Sequence, residues 1–338
     1  MPLASDVLFG DRRAVRSCGG VISGKFPDAP NAGADRAGGA DLHIHSTASD
    51  GSLSPAGIME EARRQGLTHI AITDHDTLEG VRQARQAGIP DGLCLISGVE
   101  ISTQPPPGIP ASGSLHILGY GIPPDHPEVN TALARSQDAR RDRNPEIIRR
   151  LNAAGIRIRL SDAARFAGSG PVSRPHIARA LMDAGIVSSI EDAFQRWLKK
   201  GRPAYVDKYR IPCAAAVDLI RRAGGVAVLA HPGLLLRGGG MTIDTVCDIL
   251  APLKIGGIEV YYPEHGARQT RLFFAAARAR GLLATGGTDF HGDIKPGVRM
   301  GSARGKFQVP GGTAAALLAR LYAIEHSTES STPGENPL

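Results

Sequence analysis

From Ala40 onward, short apolar runs alternate with stretches of helical period, and this alternation restricts the fold more than any other feature of the chain. Seven runs read as strands: Asp41–His45, His69–Thr73, Leu93–Val99, Leu115–Tyr120, Val226–Ala230, Gly257–Tyr261 and Leu282–Gly286. Helices fall between them. Ser54-Pro55 opens the first, with Ser as cap and Pro in the first turn, and Gly66 closes it. Thr77 caps a second that stops at Gly88. Further helices are expected at Pro212–Ala223, Thr242–Leu250, 265–280 and Thr313–Ile324. Residues 128–210 break the rhythm, with helical candidates at 128–153, 174–184 and 190–200 and little strand character. The expected layout is α/β: residues 40–127 and 211–325 form a βα barrel or doubly wound sheet, interrupted by a helical insertion over 128–210. Residues 1–38 carry no sustained period and read as a disordered extension, and 326–338 as a loose tail.

Composition narrows the class. Aromatics make up only 4% of the 338 residues, so the core is built from Ala, Val, Ile and Leu. No apolar run approaches the roughly 20 residues that span a bilayer. Four scattered cysteines, Cys18, Cys94, Cys213 and Cys247, form no C-x-x-C pair and read as reduced thiols, which points to a cytoplasmic protein; no obligate protein partner is evident from the sequence. The net charge of +6 favours anionic substrates.

The chemistry-bearing residues sit where strands end. In Asp41-Leu42-His43-Ile44-His45 the two histidines stand two apart, and alternate side chains leave the same face of a strand, so both imidazoles can meet one ion. Asp50 follows in the next loop. The second strand runs into Thr73-Asp74-His75-Asp76, the third ends at Glu100, the strand Val226–Ala230 ends at His231, and the last leads to Asp289 and His291. Taken singly, each has an ordinary explanation: Asp50-Gly51 is a turn signal, and His75 between two Asp residues suits a capped turn. Together, so many imidazoles and carboxylates at the mouth of an apolar core are costly unless a cation compensates them. His116 begins its strand instead of ending it. It reaches the same rim if that strand runs antiparallel to the third, through the loop 104–113.

Asp41-Leu42-His43-Ile44-His45-Ser46, Asp50-Gly51, Ile72-Thr73-Asp74-His75-Asp76, Glu100, Ala230-His231-Pro232 and Gly287-Thr288-Asp289-Phe290-His291 resemble the motifs of the PHP (polymerase and histidinol phosphatase) family. The resemblance covers nearly all of residues 41–325 and implies a distorted (β/α)7 barrel with two or three divalent metal ions: Mn, with Fe or Zn as alternatives. It implies one ion on His43, His45, Glu100 and Asp289, a second sharing Glu100 with His116 and His231, and a third on Asp50, His75 and His291. Within the insertion, Ser173–Leu181 and Gly201–Val206 are similar to segments of the 3',5'-nucleoside bisphosphate phosphatases. That subgroup releases the 3'-phosphate from pAp-like nucleotides, and some members trim short RNA from the 5' end.

The expected reaction is attack of a metal-bound hydroxide on phosphorus, since clustered cations lower the pKa of bound water towards about 7. No Ser or Cys stands with a His and an acid in a triad-like set. His176 and His265 are candidate acids for the leaving oxygen. Arg174 and Arg202, with His176, are the candidates for holding a second phosphate, because a guanidinium fork matches paired phosphate oxygens. The Arg-rich segment Arg135–Arg159 reads either as the solvated face of helices or as a basic track for an oligonucleotide. The competing functions are another PHP phosphatase, such as one for histidinol phosphate, and a metal-dependent amidohydrolase.

Overall fold

The computed structural model describes residues 39–110, 115–167, 170–303 and 307–329. The expected extension over 1–38, and the tail beyond Glu329, lie outside these. In chain order the first half runs β1 (Gly39–Ile44), α1 (Pro55–Arg64), β2 (Leu67–Ile72), α2 (Glu79–Ala87), β3 (Cys94–Gln104) and β4 (Leu115–Tyr120). The helical stretch follows: α3 (Pro127–Ala153), α4 (Leu160–Ala164), α5 (Arg174–Asp183) and α6 (Ile190–Ala193), the last continuing as a π-helical turn over Phe194–Leu198. The second half holds β5 (Ile211–Pro212), α7 (Cys213–Arg222), β6 (Val226–Leu229), α8 (Pro232–Leu235), α9 (Ile243–Leu250), β7 (Gly257–Tyr261), α10 (Ala267–Ala279) and β8 (Leu283–Gly286). A small antiparallel sheet of β9 (Val298–Arg299), β10 (Ser302–Ala303) and β11 (Phe307–Gln308) precedes α11 (Gly312–Glu329).

The main sheet has the order β1-β2-β3-β4-β6-β7-β8, with β5 pairing β3. β1, β2 and β3 run parallel, as do β6, β7 and β8, whereas β4 is antiparallel to both β3 and β6. This reversal carries His116 to the rim, opposite Ser102 of β3, as its position required. One expectation changes. Glu100 does not end its strand; β3 continues to Gln104, because Ile101–Thr103 pair with β4 and Thr103–Gln104 with β5. A long strand between two partners lets Glu100 project from mid-strand while its neighbours keep their backbone bonds.

The sheet curls into an incomplete barrel. The chain beyond β8 returns to β1, where the His45 N–H donates to the Phe290 carbonyl at 2.9 Å. Asp41 ties the same seam, accepting from the Thr288 N–H at 2.9 Å, the Thr288 hydroxyl at 2.5 Å and the Gly301 N–H at 2.8 Å. Closure requires glycine at 287: a Cβ there would lie 2.3 Å from the His43 Cβ.

The largest apolar cluster lies between the strands and the helices packed on them, with Ile58, Met59, Val81, Val217, Ile220, Val246 and Phe273 from α1, α2, α7, α9 and α10. A second forms where α11 sets Leu317, Leu318 and Leu321 against Leu42, Leu118, Tyr120 and Val228. That helix runs on to Glu329, five residues beyond the expected Ile324, so it takes in the start of the expected tail. The helices after β4 have an apolar cluster of their own, including Ile147, Leu151, Ile177, Leu181 and Leu198. Cys213 and Cys247 are free and buried, as expected of thiols, but Cys94 is disulfide-bonded. Among the described residues no helix is long and apolar enough to cross a membrane.

Candidate metal centre

The predicted ligands converge. His43 Nε2 lies 3.3 Å from Glu100 Oε2 and 3.6 Å from Asp289 Oδ1; His45 Nε2 is 3.2 Å from each of the same two oxygens. A tetrahedral ion with ligands at about 2.0–2.2 Å spaces them about 3.3–3.6 Å apart, so these four atoms outline a cage of that size. Both Nε2 atoms are buried without a hydrogen-bond partner, an arrangement costly for a protein core and natural for lone pairs aimed at a cation.

Glu100 presents its other oxygen to a second group. Oε1 lies 2.6 Å from His116 Nδ1 and 2.8 Å from His231 Nε2, and these two nitrogens are 3.3 Å apart. The glutamate thus stands between two ligand sets as a bridging carboxylate would. A third set holds Asp50, His75 and His291: Asp50 Oδ1 to His291 Nε2 is 3.4 Å and Asp50 Oδ2 to His75 Nε2 is 3.8 Å. Two residues face more than one set. His45 also borders the Asp50 group, with Nδ1 3.6 Å from Asp50 Oδ1, and His75 Nδ1 lies 3.0 Å from Glu100 Oε2. A neutral imidazole has one lone pair to give, so each serves one ion at a time. These clusters are consistent with two or three divalent ions.

Charge supports the same reading. Burial alone pulls His43 and His45 down, but surrounding carboxylates reverse this: Glu259, Glu100 and Asp289 raise His43 well above its ordinary value, and Asp289 with Glu100 raises His45 to about 10. Burial would push up Asp50, Glu100 and Asp289, yet the adjacent histidines, and for Asp289 also Lys295, hold all three well below the usual carboxylate range. Burial keeps His75 neutral, taking it down to about 3. The site holds its carboxylates ionised and draws positive charge inward, and divalent cations meet that demand without protonating the ligands.

Local structure explains the aim of the loops. Asp74 accepts from the Ser46 N–H, the Ser46 hydroxyl and the Ser49 hydroxyl at 2.7, 2.6 and 2.5 Å, and so shapes the loop that carries Asp50. His291 Nδ1 lies 2.8 Å from the Asp289 carbonyl, leaving Nε2 for the site. Asp76, His231 and Asp289 adopt positive φ of 55°, 28° and 53°, a conformation that non-glycine residues hold only where the surroundings impose it, commonly at functional sites.

A cavity of about 430 Å³ opens over these ligands. Its wall carries Arg140, Arg143, Arg174, Lys208, Arg210 and Lys295, together with the apolar Ile190, Phe194, Leu234 and Ile294. The cations outnumber their partners. Asp76 alone receives Arg140 at 2.7 Å and Lys208 at 3.1 Å, and Arg210 pairs with Asp207 at 2.6 Å. Arg174 donates to the Leu198 carbonyl at 3.2 Å and lies over the Phe194 and Tyr205 rings. The buried Arg143 Nε has no partner; burial, with Arg174, Arg140 and Arg210 beside it, pulls that guanidinium down to about 9.

Of the substrate candidates, the structure brings Arg174 to the cavity and leaves Arg202 exposed outside its lining. Neither candidate acid lines the cavity. His176 is buried in the cap of α5, where Nδ1 accepts from the Ser173 N–H at 3.1 Å; its Nε2 has no partner. His265 is fully engaged, with Nδ1 donating to the Val260 carbonyl at 2.9 Å and Nε2 accepting from the Gly233 N–H at 3.1 Å. It has no free nitrogen. Sequence reasoning reached Arg140 and Arg143 only as members of the Arg-rich segment Arg135–Arg159, and it missed Lys208, Arg210 and Lys295 as wall residues. Within that segment the spacing of three between Arg140 and Arg143 puts both on one helical face. Their neighbours Arg141 and Arg149 are exposed and pair with Asp138 and Glu146 along the same helix.

A curled α/β sheet with histidine and carboxylate clusters gathered along one rim, beneath a basic cavity, defines a metal-dependent hydrolase. The pattern of the PHP domain matches residues 41–200. The chain is 36% identical over 253 residues to the 5'-3' exoribonuclease of Escherichia coli K12, covering 74% of this chain and 84% of that protein. It is 34% identical over 252 residues to the 3',5'-nucleoside bisphosphate phosphatase of Chromobacterium violaceum, covering 74% and 86%. Among solved structures, a candidate metal-dependent phosphoesterase from Bifidobacterium adolescentis superposes with a TM-score of 0.74 at 29% identity, covering 84% and 96% of the two chains. A Chromobacterium violaceum protein described as an amidohydrolase with bound sulfate gives 0.68 at 32% identity, covering 79% and 91%. The chain belongs to the PHP-domain family and is a metal-dependent phosphoesterase of that type.

Proposed function

We propose that the protein is a phosphomonoesterase that removes the 3'-phosphate from nucleoside 3',5'-bisphosphates. The observation that carries this is the pairing, in one cavity, of the ligand clusters with a separate wall of under-neutralised cations, Arg140, Arg143, Arg174, Lys208 and Arg210. In this reading one phosphate occupies each place. The name of the Chromobacterium violaceum relative supports the same substrate class. His43, His45, Glu100 and Asp289 would hold one ion; Glu100, His116 and His231 a second; Asp50, His75 and His291 a third. Bound divalent ions supply an activated water and neutralise the phosphoryl oxygens. The chain's own part is placement. The basic wall grips the non-reacting phosphate, which sets the ester over the ligands and converts binding energy into orientation. Ile190, Phe194, Leu234 and Ile294 offer apolar surface to the nucleoside between the two ends. Of the two histidines considered as proton donors, His176 is the one with a free nitrogen.

A second reading is 5'-end trimming of short RNA, which the names of the Escherichia coli and Haemophilus influenzae relatives support. The same wall would then hold the 5'-phosphate of a longer chain. The test is phosphate release from pAp, 5'-AMP, 3'-AMP and histidinol phosphate, alongside cleavage of a 5'-phosphorylated oligoribonucleotide, using metal-free protein reconstituted with Mn, Fe or Zn. Preference for pAp is expected. Equal rates on all monoesters would refute the two-phosphate reading, and faster turnover of the oligonucleotide would favour the second. Arg174→Ala is expected to lower kcat/KM at least tenfold on pAp and little on 3'-AMP; an equal loss on both would remove its assigned role.

A further inference from the structure

The strand β7 is the exception at the rim. Every other long strand of the main sheet carries a candidate ligand or leads into one; β7 delivers Glu259, which stands behind them. Its side chain is fully buried. Oε1 accepts from His43 Nδ1 at 2.8 Å, and Oε2 accepts from the His231 backbone N–H at 2.6 Å. No lysine or arginine pairs with it among the described residues, so this carboxylate is balanced only through the groups it orients.

We propose that Glu259 is a positioning residue that couples two of the three ligand sets. The inference rests on the metal reading above and deepens it. By accepting from Nδ1, Glu259 keeps the His43 proton on that atom and leaves the Nε2 lone pair facing Glu100 and Asp289. By accepting from the His231 N–H, it pins the residue at the foot of α8, whose φ of 28° needs an external anchor, and so presents Nε2 beside Glu100 and His116. The two oxygens serve two ligand sets, while Asp50, His75 and His291 make no contact with Glu259. A glutamine cannot replace it. An amide has one acceptor, so either the His231 N–H or the His43 Nδ1–H would meet an NH₂ group. If His43 meets it, the ring is driven to the tautomer that carries its proton on Nε2 and cannot ligate.

The test is Mn²⁺ titration of metal-stripped wild type, Glu259→Gln and Glu259→Asp, followed by the EPR signal of the free ion, with thermal melting of each metal-free protein. Glu259→Gln is expected to weaken two binding events by roughly 10–100-fold and leave the remaining one unchanged. Glu259→Asp keeps both acceptors but withdraws them by one methylene, so a smaller loss at the same two events is expected. Wild-type Mn²⁺ affinity in Glu259→Gln, with only a lower melting temperature, would make Glu259 a packing residue and overturn the proposal; so would an equal loss at all events. If Glu259→Gln does not fold, unchanged affinity in Glu259→Asp overturns it alone. Absence of Mn²⁺ binding by the wild type is a separate result that would overturn the metal reading first.

Discussion

Replacing Asp76 by Asn removes one buried negative charge and keeps the shape of the side chain. The carboxylate is fully buried, and its partners Arg140 and Lys208 are only 12% and 5% exposed, so solvent screening is slight. Asn can still accept from the Ser102 N–H, as Asp76 Oδ1 does at 2.8 Å, but it turns an NH₂ towards two cations. Breaking a buried ion pair on one side costs about 3–5 kcal/mol, because the surviving charge stays buried and uncompensated. Lys208 has an escape. Burial, helped by Arg140, lowers its pKa to about 7, and Asp76 is what holds it up. Between about pH 7 and the ordinary lysine value of 10.5, unfolded Lys208 binds more protons than folded Lys208, so stability from this group rises with pH across that window. Without Asp76 the lower edge of the window moves below 7. The loss in Asp76→Asn is therefore expected near 5 kcal/mol at pH 6 and nearer 3 kcal/mol at pH 8, by urea denaturation of the metal-free protein. A loss below about 1 kcal/mol at both pH values would refute the argument that Asp76 balances the two wall cations.

Other outcomes follow from the same geometry. His265→Ala leaves the Gly233 N–H and the Val260 carbonyl unpaired, so a stability loss of about 1–3 kcal/mol is expected with an unchanged pH–rate profile; a lost limb in that profile would restore His265 as an acid. Arg202→Ala, at an exposed position outside the cavity, should move KM for pAp less than twofold and stability by under about 0.5 kcal/mol, checked by steady-state kinetics and melting. A divalent ion at 100 times its Kd should stabilise the fold by about 2.7 kcal/mol, or roughly 4 °C in Tm for a chain of this size, and a chelator should reverse it. Gly287→Ala, which sets a Cβ against His43, should lower both Tm and Mn²⁺ affinity; unchanged values would show that the seam between β8 and β1 yields easily.

The ligand residues were legible because a strand's geometry is local. Alternate side chains share a face, so His43 and His45 could be paired from spacing alone, and the recurrence of Asp, Glu and His after apolar runs marked one rim. His116 was placed by the same logic, which required β4 to run backwards, and β4 does so. Glu100 fits less well. It belongs to the site but sits mid-strand, because β3 gains partners that come later in the chain.

What the residues determined by themselves is the alternation of strand and helix and the kinds of ligand gathered at the strand ends, since both depend on contacts within a few residues. The tertiary structure decided which cations line the cavity over the ligands, that Arg202 lies outside that lining, that His265 is held at both nitrogens, and that Glu259 stands behind His43 and His231. Most of these relations join groups tens to hundreds of positions apart, as His43 and Glu259 are, at a separation of 216. No periodicity encodes such distances; only the curl of the sheet and the packing of the insertion over it bring them about.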